Sequence, residues 1–322
     1  MKSIIVDNLV KKFKETTAVD SISFDVKKGE CFGMLGPNGA GKTTTINMLS
    51  TLLKPTSGIA TVAGFDIVKQ KNKVRENIGI VFQEPALDSK LTGKVNLEFH
   101  SMMYGTPPNI YKKRIDDLLE LVELTEKANT LTQKYSGGMK RRLEIARGLL
   151  QMPKVLFLDE PTLGLDAQTR RLIWEYIKKL NKMNDVSIIL TTHYMEEADF
   201  LCDRIAIVDH GTIKAIDTTE NLKQDMGGDV ISLEIDENTG LFISKLKQTS
   251  WIRSVKEFDD CLKCLSLTMD RAETRVADVL AIANECKTKI LSVNIHKPSL
   301  EDVFLKYTGK TIRNIEEREK VW

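Results

Sequence analysis

The sequence predicts a two-part α/β chain: a mainly parallel sheet wound by helices and interrupted by a helical insert, then a small α+β unit. Three observations predict it. Residues 31–35, 154–158 and 187–190 are short, mainly apolar runs, as expected of strands buried on both faces. The first of them leads through Gly-Pro-Asn-Gly-Ala-Gly-Lys-Thr, residues 36–43, into a stretch of helical spacing, the strand, glycine loop and helix order of a phosphate-binding turn. Residues 229–310 repeat none of this and read strand-helix-strand-strand-helix-strand.

The chain begins with two extended segments, residues 3–13 and 19–26, rich in Ile, Val and Phe around a polar turn, which suggest an antiparallel edge on the core. Phe13 stands just before that turn, where an aromatic serves either the core or as a flat surface for stacking a purine. In the loop, glycines at 36, 39 and 41 let the backbone curl until several N–H groups converge on an anion. Lys42 adds a point charge for phosphates, the Thr43 hydroxyl suits Mg²⁺, and the helix over residues 44–53 offers its positive end. Gly36, Asn38, Gly39, Gly41, Lys42, Thr43 and Thr44 are therefore the candidate nucleotide contacts. The cluster Lys54-Pro55-Thr56-Ser57-Gly58 ends this helix. A strand at 59–62, a turn at Gly64, a short basic helix near 71–77 and a strand at 78–82 follow. Gln83 closes that strand on the side where ligands sit in α/β sheets; its amide either reaches a metal-bound water or the γ-phosphate, or caps the strand towards solvent.

From residue 91 to 150 the periodicity is helical, over 92–104, 109–124 and 137–150, without a strand signal. This reads as a helical insert. Its third helix follows Tyr135-Ser136-Gly137-Gly138-Met139, in which Ser136 is a fitting N-cap and Gly137 and Gly138 leave N–H groups open to an anion. Pro153 ends the helix, and the strand at 154–158 then delivers Asp159 and Glu160 together. Two carboxylates closing a buried strand are expensive unless a cation answers them, and nucleotide-bound Mg²⁺ supplies that answer. Alternation along a strand sends them to opposite faces, so Asp159 is read as the metal carboxylate and Glu160 as the general base for an attacking water. After Leu163-Gly164-Leu165-Asp166 come a helix at 167–183 and the strand at 187–190, which ends Thr191-Thr192-His193. His193 shares a rim with Gln83 and Glu160 and is read as a γ-phosphate contact rather than as a structural histidine. A helix at 195–202, a strand at 204–209 and a turn at Gly211 close the α/β part near Asp217.

Beyond it, strands at 230–235, 251–258, 264–268 and 290–295 enclose helices at 240–248 and 271–286, the order of a small ferredoxin-like unit. The domain limits that follow are 1–220, with the helical subdomain at 87–152, then 221–310, then a charged tail at 311–322. A length of 322 residues suits one large or two moderate domains. The 47 basic and 45 acidic residues leave a net charge of +2, so nothing demands nucleic acid as a partner. No apolar stretch is long enough to span a bilayer and the first residues lack the apolar core of a signal peptide, so the expected location is the cytosol. The 5 scattered cysteines fit reduced thiols there, and the Cys261–Cys264 pair, without a second pair or a His cluster, reads as ordinary packing.

In motif and order, residues 1 to about 220 resemble the ATP-binding subunits of ABC transporters. Residues 36–43 match the Walker A loop, Gln83 the Q-loop, residues 135–139 the signature motif, 155–160 Walker B, 163–166 the D-loop and His193 the switch histidine. Phe13 falls where the family places its adenine-stacking aromatic. The ends of the signature, Tyr135 and Met139, depart from the family's commonest Leu-Ser-Gly-Gly-Gln, while Ser136-Gly137-Gly138 is intact. Tyr-Ser-Gly-Gly-Met, and Lys297-Pro298-Ser299-Leu300-Glu301-Asp302-Val303-Phe304 near the C-terminus, are similar to the daunorubicin-resistance type of exporter subunit.

The resemblance implies a P-loop NTPase (RecA-like) cassette with an antiparallel β subdomain and a helical subdomain. It implies binding of ATP and Mg²⁺, the metal answered by Thr43, Gln83 and Asp159, and hydrolysis through Glu160 with Gln83 and His193 sensing the γ-phosphate. It further implies a second ATPase subunit paired head to tail as a homodimer, with ATP between one chain's Lys42 loop and the other's Ser136, Gly137 and Gly138. The remaining partner is a separate membrane permease whose cytoplasmic helix meets the surface around residues 83–92, placing the chain peripherally on the cytoplasmic face of the membrane. A soluble ABC ATPase acting on ribosomes or nucleic acid is the alternative, set against the single cassette, the lack of a coiled-coil insert and the balanced charge. A small-molecule kinase leaves Ser136-Gly137-Gly138 and His193 unexplained.

Overall fold

The architecture, taken from a computed structural model, is described for residues 1–84, 86–184, 186–236, 240–258 and 263–309. The expected charged tail at 311–322 and Cys261 lie outside these residues. Two compact units meet in sequence at Ile216 and Asp217.

The first unit opens with β1 (Lys2–Phe13), β2 (Thr16–Lys27) and β3 (Cys31–Leu35), followed by α1 (Lys42–Leu49), β4 (Ser57–Val62), β5 (Phe65–Asp66), α2 (Lys71–Glu76) and β6 (Ile78–Val81). Three helices come next, α3 (Gly93–Met103), α4 (Pro108–Leu121) and α5 (Gly137–Leu149). The chain then alternates through β7 (Val155–Asp159), α6 (Ala167–Asn184), β8 (Ser187–Thr192), α7 (Met195–Leu201), β9 (Arg204–Asp209) and β10 (Thr212–Asp217). Six of these strands form one sheet in the order β10-β9-β3-β8-β7-β6, with β9, β3, β8, β7 and β6 pairing in parallel. Every residue of β3, β7 and β8 is buried, which explains why those segments lack polar alternation. Their C-terminal ends deliver the glycine loop, Asp159 and His193 to one rim.

The first two strands are not an edge of that sheet, as their pattern alone suggested, but belong to the antiparallel β subdomain that the family resemblance implied. They build a separate four-stranded sheet, β2-β1-β4-β5, with the antiparallel strand at 57–62 recruited as its third member. One apolar core joins the two sheets through α1: Ile4, Val6, Leu9 and Val19 cluster with Ile46, Met48 and Leu49 and with Met34, Phe157 and Ile189. The helical stretch also departs from a clean insert. Gly79 of β6 lies so close to α5 that a Cβ on it would stand 2.1 Å from the carbonyl oxygen of Gly148. The C-terminal half of α5 therefore packs on the parallel sheet, and the missing Cβ of Gly79 lets the Gly148 backbone approach this closely. The helix after the glycine loop is shorter than expected, ending at Leu49 because Thr51 turns to a φ of 68°, before the Lys54-Pro55 cluster is reached. In the same way α4 ends at Leu121, and Glu123 takes a φ of 54°.

The second unit contains α8 (Thr219–Gln224), β11 (Asp229–Ile235), α9 (Gly240–Gln248), β12 (Ile252–Phe258), β13 (Lys263–Met269), α10 (Ala272–Glu285), β14 (Ile290–His296) and α11 (Leu300–Thr308). Its sheet runs β12-β13-β11-β14, with β12–β13, β13–β11 and β11–β14 all antiparallel, the strand order of a βαββαβ unit. Ile231, Leu233, Ile235, Leu265 and Leu267 alternate onto one face and form a core with Phe242 and Leu246 of α9 and Val279 of α10. The sequence reading missed α11, although its start is written as Ser-x-x-Asp. Ser299 is the N-cap, its hydroxyl accepts from Asp302 N–H, and the Asp302 carboxylate accepts from the Ser299 N–H in return.

Gly79→Ala is expected to cost about 1–3 kcal/mol, because the new methyl has backbone rather than a movable side chain in its way. The measurement is the urea midpoint of the first unit, which should fall at an unchanged slope.

Candidate functional site

The glycine loop joins β3 to α1 by a turn that closes on Gly41, the helix N-cap, at a φ of 97°. A Cβ there would meet the carbonyl oxygen of Ala18 at 2.4 Å, so both conformation and space demand glycine. The turn leaves Lys42 as the first helical residue, with its ammonium buried. Lys42 Nζ donates to the carbonyls of Gly36 (2.7 Å) and Pro37 (2.9 Å) and lies 3.3 Å from Glu160 Oε1. Around it is a cavity of about 340 Å³ lined by Pro37, Asn38, Gly39, Gly41, Lys42, Thr43 and Thr44, with Ala18, Gln83, Glu160 and Leu163 on the other walls. Gln83 is exposed and stands two residues beyond the end of β6 at Val81.

At the end of β7 the two carboxylates diverge, but not by strand alternation. Glu160 has left the strand and takes a φ of 47°, and its N–H donates to Thr191 Oγ1 at 3.1 Å. That backbone turn separates the side chains. Asp159 Oδ1 accepts hydrogen bonds from Thr43 Oγ1 (3.1 Å) and from Thr191 Oγ1, which the β7–β8 register places directly opposite it. Burial pushes the Asp159 carboxyl above the usual carboxylate range, the two hydroxyls resist, and the nearby Glu160 charge adds to the rise. Glu160 goes the other way. Burial raises its pKa, but the hydrogen bond with His193 and the charge of Lys42 outweigh that and hold the carboxyl low. His193 Nδ1 lies 2.7 Å from Glu160 Oε2; an ionised carboxylate only accepts, so the proton is on Nδ1.

The rim is clamped from α5. Arg141 is buried, and its guanidinium donates to the carbonyls of Phe82, Asp159, Glu160 and Pro161 at 2.5–3.1 Å. Burial draws its pKa down to about 10, and the carboxylates of Glu144, Glu197, Asp159 and Glu160 oppose that. Glu144, fully buried on the same helix, accepts from the Ala86 N–H at 2.9 Å and pairs with Arg147 at 2.8 Å, tying down the segment after Gln83. Arg141, Glu144 and Thr191 escaped the sequence reading. Arg141 and Glu144 look like ordinary polar positions of an amphipathic helix, while Thr191 carried a signal in its place opposite Asp159 had the register been known.

Two predicted groups lie elsewhere. Phe13 ends β1 half-exposed beneath Lys11, whose ammonium is 4.9 Å from the ring centre, and it does not line the cavity. Ser136 caps α5 by accepting from the Met139 N–H, and Gly137 and Gly138 begin that helix against Leu165 and Thr169, outside the cavity lining. Thr43 and Asp159 supply two oxygen donors side by side, which fits a hard divalent cation that takes its other ligands from phosphate and water. Among the described residues no three His, Cys, Asp or Glu side chains converge as a metal cluster of their own.

The raised pKa of Asp159 means that its ionisation opposes folding. Stability falls as pH rises from the ordinary carboxylate range through the raised value, and is recovered on acidification. Asp159→Asn keeps the acceptor for both hydroxyls and removes the charge. It should therefore unfold at higher urea than the parent at neutral pH, with the gap closing in acid.

Comparison with known proteins agrees with this geometry. Residues 19–163 match the ABC transporter family, and residues 218–308 match the C-terminal domain of DrrA1-3-like ATP-binding proteins. The chain is 42% identical to the linearmycin resistance ATP-binding protein LnrL of Bacillus subtilis (strain 168), over 96% of this chain and 99% of the relative. It is 36% identical to the daunorubicin resistance ATP-binding protein DrrA2 of Streptomyces coeruleorubidus, over 98% of each. Among solved structures it is similar to the dimeric post-hydrolysis state of the ATP-binding cassette MJ0796 bound to ADP and Pi, with a TM-score of 0.60, 28% identity, and coverage of 67% of this chain and 98% of that one. By site, by sequence and by fold, this chain belongs to the ABC transporter family, as an ATP-binding subunit with a DrrA-type C-terminal domain.

Proposed function

We propose that two copies of this chain pair head to tail around ATP and drive export of a drug, lipid, glycan or similar compound through a separate membrane permease. The chain is an ATPase of an ABC exporter, and such subunits dimerise and work with membrane permeases. The observation that carries the finer reading is the division of the site. Lys42, Thr43, Asp159, Glu160 and His193 converge at one cavity, whereas Ser136, Gly137 and Gly138, with helix N–H groups suited to phosphate, lie outside it. Each cavity gains its second phosphate-binding wall from the other copy.

In this reading ATP enters with its phosphates in the glycine loop and competes for Lys42, which here is held by two loop carbonyls and by Glu160. Once Lys42 turns to phosphate, Glu160 keeps His193 as its partner and accepts the proton of the attacking water. The hydrogen bond from His193, which lowers the Glu160 pKa, favours the ionised form that a base needs. Thr43 and Asp159 would hold Mg²⁺, whose chemistry is to neutralise charge building on the phosphates. Gln83, on the cavity wall and exposed, senses the γ-phosphate, and the half-exposed Phe13 ring is free of the core and available to stack the adenine.

For the permease, support comes from α3. Val95, Phe99, Met102 and Met103 fall at i, i+4, i+7 and i+8, and all four are exposed, Met103 at 70%. Such an apolar stripe next to the segment after Gln83 suits an apolar helix from a membrane protein. No helix among the described residues is long and apolar enough to cross a membrane, and docking of this kind sets the chain on the cytoplasmic face.

Two measurements test the proposal. Glu160→Gln should lower kcat by about 10²- to 10⁴-fold while ATP still binds and promotes dimers in size-exclusion chromatography; a variant that hydrolyses at the parent rate overturns the base. Phe99→Asp with Met103→Asp should leave basal hydrolysis intact and abolish co-isolation of a multi-span membrane protein from detergent-solubilised membranes. Retention of that partner removes α3 as its seat.

A further inference from the structure

His193 and Glu160 meet at 2.7 Å, and that contact requires the imidazole plane to be set correctly. Three contacts surround it that the reaction scheme does not use. The ring of Tyr194 lies 4.0 Å from the His193 ring, centre to centre, at an interplanar angle of 44°. On Tyr194 in turn sits the Arg170 guanidinium, its central carbon 4.1 Å from the ring centre. Arg170 Nε is buried with no hydrogen-bond partner, so on that side of the guanidinium the aromatic face is what answers the charge. At its far end Arg170 Nη2 reaches the carbonyl oxygen of Leu165 at 3.4 Å, within the Leu163-Gly164-Leu165-Asp166 loop.

A second tie runs alongside. Glu197, fully buried on α7, accepts from Thr162 Oγ1 at 2.7 Å and from Trp174 Nε1 of α6 at 2.8 Å. Thr162 lies between Glu160 and the loop at 163–166, and Glu197 lies one turn beyond Tyr194. The Tyr194 backbone is itself fixed, its N–H donating to Thr192 Oγ1 at 2.9 Å. The segment that follows Glu160 is thus linked to the histidine's own segment at two points, one through Glu197 and one through the Arg170 guanidinium on the Tyr194 ring.

We propose that Tyr194 and Arg170 are positioning residues for His193: the Arg170 guanidinium anchors the Tyr194 ring, and that ring sets the imidazole plane against Glu160 and couples it to the loop at 163–166. The inference rests on the reading of His193 as part of the ATPase site. It assigns a role to two side chains that do not line the cavity.

The test is steady-state ATP hydrolysis by the full chain, with ATP affinity and thermal unfolding measured on the same preparations. Tyr194→Leu should lower kcat ~3- to 30-fold, the range that a lost ring contact spans. KM should stay within about two-fold, since substrate binding is untouched. Tyr194→Phe, which keeps the ring, should restore kcat, and Arg170→Gln should fall between them. In a His193→Ala background the Tyr194→Leu and Arg170→Gln effects should disappear, because a purely structural role would persist there. The inference is overturned if Tyr194→Leu costs the same factor with and without His193, or if Phe fails where Leu fails. If His193→Ala itself leaves kcat unchanged, the site reading and the inference fall together. If His193→Ala loses activity while Tyr194→Leu and Arg170→Gln do not, the inference falls alone. Arg170→Gln, a change away from the core, decides the question should Tyr194→Leu not fold.

Discussion

Two carboxylates withdrawn from water at the end of a buried strand are the constraint on which this structure depends. Desolvation disfavours charge on both Asp159 and Glu160, and each charge disfavours the other. Four elements are bent to the task of holding them. The glycine loop brings Lys42 and Thr43, β8 brings Thr191 and the His193 turn, β7 turns its backbone at Glu160, and α5 inserts Arg141 beneath the carbonyls. The outcome is asymmetric: Glu160 has a cation and a histidine and stays ionised, while Asp159 has two neutral hydroxyls and retains a demand for positive charge. That asymmetry separates the roles proposed for them, a base and a metal carboxylate.

The same constraint explains the close packing around the rim. Beneath the cavity the strand ends are buried, so there the charges are answered by backbone and side chains at fixed distances. Gly79 lets α5 approach the sheet closely, and from α5 Arg141 reaches four carbonyls beyond two strand ends. Such a clamp transmits any shift of α5 to the residues around Glu160, and α5 is also the helix that begins with Ser136, Gly137 and Gly138. In the proposed dimer, a phosphate at that N-terminus would be coupled through this one helix to the backbone around Glu160. This is a mechanical basis for the cooperation that the proposed dimer requires.

In the second unit the residues that resemble the exporter family have a structural explanation. Ser299 and Asp302 form a capping box, and His296 at the end of β14 lies 2.9 Å from the Asp302 carboxylate. Leu300, Val303 and Phe304 are the buried face of the helix thus started. The segment at 297–304 is therefore a helix start fastened to a strand end. What makes it recognisable is capping and packing chemistry rather than catalysis.

The sequence by itself determined the class of fold, the order of the elements and most of the candidate site. Glycine spacing, Lys42, the paired carboxylates and the strand-end histidine are local patterns, and local patterns are written in consecutive residues. Only the tertiary structure decided what depends on partners distant along the chain. The separate antiparallel sheet rests on pairing of residues 2–13 with 57–62, the hold on Asp159 rests on Thr191 across a strand register, and the clamp by Arg141 rests on carbonyls of two separate strand ends. None of these leaves a periodicity to read, because each is a matter of which surfaces come together. The backbone turn at Glu160 is of the same kind: alternation predicted that the carboxylates would part, but a left-handed residue held by Thr191 is what parts them.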